Sequence, residues 1–122
     1  MPVPILRQGD VLIASIQVAQ TDADLLRLCQ DLATRVGELR VRGVVIDVTA
    51  LDVLDSFATR TLRTIAHTSR LRGANTVVVG IQPDVAFAMV QLGLDLSGIS
   101  TALDLDEALD ELRAPLTSGE PA

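Results

Sequence analysis

The chain has 122 residues, enough for one domain with its own core and too few for two. Hydrophobic residues make up 48% and the formal net charge is -6, which fits a folded protein and disfavours a nucleic-acid backbone as partner. All 10 basic residues are Arg. The absence of Lys excludes a P-loop lysine, a Schiff base and a kinase-type lysine.

PVPILR (2–7) and VLIASIQV (11–18) read as strands, and Gln8-Gly9-Asp10 between them is a turn signal, so the two form a hairpin. Thr21-Asp22 reads as a helix start. Leu25, Leu28, Leu32, Val36 and Leu39 then recur at spacings of three and four, one face of a helix that Gly43 closes. GVVIDV (43–48) is a continuous apolar run, as in a strand buried on both faces. A helix follows to about Arg72. Gly73-Ala74-Asn75 turns the chain into TVVVGI (76–81), a second buried strand. Pro83 opens a short helix that stops near Gly93. Residues 99–103 read as a short strand, and Asp104 caps a last helix, LDEALDELR.

The order is ββαβαβαβα. It predicts an α/β fold: a mostly parallel central sheet with one antiparallel edge strand and helical crossovers. Residues 1–113 are expected to form a single domain and 114–122, APLTSGEPA, a flexible tail. The start MPVPILRQGD lacks the basic and apolar regions of a signal peptide, and no apolar run could cross a bilayer. A cytoplasmic location is expected. The lone Cys29, among Leu26, Leu28 and Leu32, reads as a small core side chain.

DVLDSFATRTL (52–62) stands where the strand 43–48 hands over to a helix, and in open α/β sheets this end of the strands is the working surface. Asp55 and Ser56 are both good helix caps and could do no more than start the helix. At about 100° per residue, Ala58, Leu62, Ile65 and Ser69 share the face that packs on the sheet, whereas Ser56, Arg60, Arg63 and His67 face solvent. Ser56 thus lies at the positive end of a helix, within reach of an enzyme. A phosphate there would meet backbone N–H groups and the repulsion of Asp55 and Asp52, which suits a switch.

Phe57 is either an interface anchor or tucked under the preceding loop; Phe87 reads as core. The stripe Arg60, Arg63, His67, Arg70 is either a solvated face or a docking surface. His67 has no spaced Cys or carboxylate partner, so neither a metal site nor a catalytic triad is expected. Ser56 lacks a G-x-S-x-G context. Asp47, at a strand end, resembles a phosphoryl-accepting aspartate, but the acids and the lysine that such a site needs are missing. No cofactor and no enzymatic activity are expected.

GVVIDVTALDVLDSFATRTL resembles the signature of the STAS domain of anti-sigma-factor antagonists, and the element order extends the likeness over nearly the whole chain. The D-S-F-x-x-R run resembles the RsbS-type antagonist of the stressosome. This likeness implies a partner-switching regulator of the bacterial stress response. Such a protein co-assembles with RsbR-like STAS paralogues, as a homo- or hetero-oligomer, and holds an RsbT-like serine kinase. Phosphorylation of Ser56 releases the kinase and a separate phosphatase resets the site. Asp52, Asp55, Phe57, Thr59, Arg60 and Arg63 would contact partners, with Thr59 or Thr61 as conceivable second phosphosites. A direct antagonist of an anti-sigma kinase and a small-molecule-binding domain are the alternatives, distinguishable by assembly size and by ligand carried through purification.

Overall fold

A computed structural model describes residues 3–113. The elements are β1 (Ile5–Gln8), β2 (Val11–Ser15), α1 (Asp22–Leu39), β3 (Gly43–Asp47), α2 (Ser56–Leu71), β4 (Asn75–Val79), α3 (Pro83–Gln91), β5 (Ser100–Ala102) and α4 (Leu105–Arg113). The five strands lie in chain order, β1-β2-β3-β4-β5. β1 runs antiparallel to β2 and every other pairing is parallel. This is the α/β sheet with one antiparallel edge strand that the sequence predicts. The expected tail at 114–122 lies outside the described residues.

β3 and β4 are the centre because their residues are apolar on both sides. Val44, Val45, Ile46, Val77, Val78 and Val79 are each no more than 1% exposed. Alternate residues feed two cores. Val44, Ile46 and Val78 join the larger one, with Leu28, Leu32 and Val36 of α1, Leu62 and Ile65 of α2, and Val85 and Met89 of α3. Val45, Val77 and Val79 face a smaller one, closed by Ala108 and Leu109 of α4. Cys29 is half-buried against the larger core, and burial pushes its thiol pKa up.

α1 starts with a capping box: the Asp24 N–H donates to Thr21 Oγ1 (3.0 Å) and the Thr21 N–H to Asp24 Oδ2 (3.3 Å). Its end differs from expectation. The helix stops at Leu39, and Arg40 takes the left-handed conformation (φ 53, ψ 41); Gly43 already begins β3. β2 also ends earlier than expected, at Ser15, leaving Val18 half exposed.

Phe87 is a second correction. It is 66% exposed, not core. α3 buries only Val85 and Met89, one turn apart, and a residue two positions from Val85 lies on the far side of the helix. No helix among the described residues is long and apolar enough to cross a membrane.

Candidate functional site

β3 lies between β2 and β4, so the chain leaving it emerges at the middle of the sheet edge formed by the strand C-termini. The loop at 48–55 is pinned there from three sides. Asp47 Oδ1 accepts from the Thr49 N–H (2.9 Å), which gives Asp47 a turn-forming role. The Val48 N–H donates to the Val79 carbonyl (2.9 Å), and the Leu51 N–H back to Val48 (2.9 Å). From the β4–α3 loop, the Gln82 side-chain amide donates to the Thr49 carbonyl (2.6 Å). Gly80, with φ +80, comes so close to Thr49 that any Cβ would run into its side chain. Leu54 is buried, whereas Asp52 and Val53 point out.

The structure decides between the two candidate caps. Asp55 is the N-cap: its backbone is extended (φ -78, ψ 180) and its Oδ1 accepts from the Ala58 N–H (2.8 Å). Its carbonyl accepts the Thr59 N–H (2.9 Å). Ser56 is therefore the first helical residue. It is exposed, and its hydroxyl makes no hydrogen bond among the described residues. The N–H groups of Ser56 and Phe57 are first-turn donors that the helix cannot satisfy itself.

Beyond Ser56 the expected faces form. Leu62, Ile65 and Ser69 are buried and Ala58 is half-buried; Arg60 and His67 are exposed. Arg63 is half-buried, with its positive charge acting on Asp95 of the α3–β5 loop. The carboxyl of Asp95 sits below the usual range, chiefly because the Ser97 side chain hydrogen-bonds it. Phe57 is half-buried and packs against the larger core, the less exposed of its two predicted placements.

Thr59 does not join the exposed set. It is 1% exposed and its hydroxyl donates to the Asp55 carbonyl (2.9 Å). Thr61 is 5% exposed and donates to the Phe57 carbonyl (2.9 Å). Thr59 lies about 60° from Leu62 around the helix, on the buried side. Both hydroxyls are buried and bonded to the backbone of their own helix, and Ser56 is the surface hydroxyl of the first turn.

The chemistry available to Ser56 follows from what surrounds it. His67 is eleven residues further along α2, roughly 16 Å at 1.5 Å per residue, too far to act as its base. The hydroxyl is instead placed to receive a group from outside. A phosphate on it would lie at a helix N-terminus with two free N–H donors and two carboxylates, Asp55 and Asp52, close in sequence. Gln82 and Gly80, which hold the loop, were not singled out in the sequence. A glycine directly after a buried strand was the available signal.

Three likenesses to known proteins bear on this site. A serine-to-glutamate variant of RsbS from Moorella thermoacetica superposes with a TM-score of 0.77 at 37% identity, covering 90% of this chain and 93% of that one. A chain of the stressosome, described as a signal integration and transduction hub, superposes with a TM-score of 0.73 at 38% identity, covering 89% and 95%. The RsbT co-antagonist protein RsbRA of Bacillus subtilis is 32% identical over 91 residues, 66% of this chain; the match spans only 33% of that longer protein. The STAS domain family model matches residues 6–108. The chain belongs to the STAS domain family.

Proposed function

We propose that this chain is a non-catalytic partner-switching regulator of the RsbS type, acting in a stressosome-like assembly in the cytoplasm. It co-assembles with RsbR-like STAS proteins and holds an RsbT-like serine kinase at the surface formed by Asp52, Asp55, Ser56, Arg60 and Arg63, with Phe57 at its edge. Phosphate on Ser56 releases the kinase, and a phosphatase restores the binding state.

The observation that carries this reading is the division of labour between Asp55 and Ser56. Asp55 alone caps α2, so the Ser56 hydroxyl is spared from structure and left in solvent. Adding about two negative charges there deepens the excess of the carboxylates over Arg60 without removing the cap. The likeness to RsbS and to a stressosome chain supports the assembly, and the likeness to an RsbT co-antagonist supports the kinase class.

The test is phosphopeptide mapping after incubation with Mg-ATP and an RsbT-like kinase from the same source, with Ser56→Ala alongside. Phosphate on Ser56, lost in the variant together with kinase release, is expected. An unmodified wild type beside a kinase shown to be active would sink the proposal. Mixing with an RsbR-like paralogue should give a particle far larger than either protein; a mixture that stays small would favour a direct anti-sigma-kinase antagonist.

A further inference from the structure

The pole of the sheet opposite Ser56 gathers positive charge in an acidic chain. α1 and α2 both end there, and Arg40 and Arg72 are their C-caps; Arg42 immediately precedes β3. These three residues line an open concavity of about 490 Å³ between the helix ends, together with Gly37 and Gly73. No carboxylate lines it among the described residues. Asp10 reaches Arg42 at 4.0 Å, and both side chains are well exposed. Arg40 and Arg72 have no side-chain hydrogen bond or ion pair among the described residues.

Two local features accompany these guanidinium groups. Arg40 is the only non-glycine residue with positive φ among the described residues, at a helix end where glycine is the favoured choice. Gly37 lies inside α1, where glycine is a poor helix former, and any Cβ on it would run into the Arg72 guanidinium. Cations do favour helix C-termini. That effect does not need an arginine in the left-handed region.

We propose that Arg40, Arg42 and Arg72 form a binding pocket for a small multivalent oxyanion, a phosphate or a polycarboxylate. Guanidinium forks pair with such oxygens two at a time, and three forks around one concavity can outweigh the negative ends of the two helices. The site stands apart from Ser56 and does not rest on the reading of that residue as a switch.

The test is calorimetric titration with citrate and with inorganic phosphate, against sodium chloride of matched ionic strength. One or both anions should bind, and chloride should not compete at that strength. Arg40→Gly should weaken binding about tenfold or more while raising the melting temperature, because the left-handed cost is removed and one fork is lost. Arg72→Ala should weaken binding similarly. Arg70→Ala, outside the concavity on the same helix, should leave it unchanged. Citrate alone binding assigns a carboxylate ligand, and phosphate alone a phosphate. The proposal is overturned if neither anion binds at millimolar concentration, if Arg40→Gly binds as the wild type does, or if Arg70→Ala loses as much as Arg72→Ala. A lower melting temperature in Arg40→Gly would overturn the claim that stability is given up for the site.

Discussion

α2 and α3 begin at the same edge of the sheet, after strands that pair in parallel with Asp47 beside Val79. Their starts are built differently. α2 follows a pinned loop, has a carboxylate cap in Asp55 and shows a free hydroxyl at its first residue. α3 has no side-chain cap; Gln82 precedes it and Pro83 occupies its first turn, which removes one of the N–H groups a cap would satisfy. Gln82 spends its amide on the neighbouring loop, at the Thr49 carbonyl. One helix start leaves its first hydroxyl in solvent, and the other helps to hold the loop before it in place.

The contrast can be broken most severely at the platform beneath α2. Leu62→Ala, at a side chain 1% exposed, should cost about 2–5 kcal/mol in denaturant unfolding. Gly80→Ala should follow. A side chain there faces both a positive φ and the Thr49 side chain, so a loss of about 1–3 kcal/mol is expected, with wild-type stability ruling out the close approach. The caps should then separate the two helices. Asp55→Ala should cost about 0.5–2 kcal/mol and be the larger loss of the two. Pro83→Ala should cost about 0.4–1 kcal/mol, through the unfolded chain alone. Equal losses would erase the distinction.

Ser56→Ala sharpens it from the other side. Since Asp55 is the cap, the variant should stay within about 0.5 kcal/mol of wild type in thermal unfolding. The smallest effect concerns the α3–β5 loop. The Asp95 carboxyl is depressed in the folded state by Ser97, so its contribution exists above the unfolded carboxylate pKa and fades as pH falls through the folded one. Ser97→Ala should therefore be slightly less stable at neutral pH, with the gap closing in strong acid. A gap that persists there would remove Asp95 from the account.

Much of this was legible because periodicity and burial agree. The runs at 43–48 and 76–81 had no polar side to expose, and the helical wheel of α2 correctly turned Ser56 and Arg60 outward. The choice between Asp55 and Ser56 as cap was not legible, since either residue type caps well and one residue of register decides it. The burial of Thr59 was readable from the same wheel, about 60° from Leu62, although the family resemblance implies a partner contact there. An aromatic in an apolar run such as Phe87 reads as core, yet a helix as short as α3 buries one stripe, and Val85 and Met89 fill it. The end of α1 was missed because Arg40 occupies a conformation that sequence rules reserve for glycine.

The edges of the sheet carry a last consequence. The strands at its two margins are the shortest or nearly so, four residues in β1 and three in β5, and β1 is mostly exposed. An open strand edge can template pairing with the next molecule, and brevity is one way proteins blunt it. Copies of any such domain brought close together meet that hazard. Its margins offer too few backbone partners for copies to zip into a continuous ribbon, so contacts between them can remain matters of side chains, and reversible.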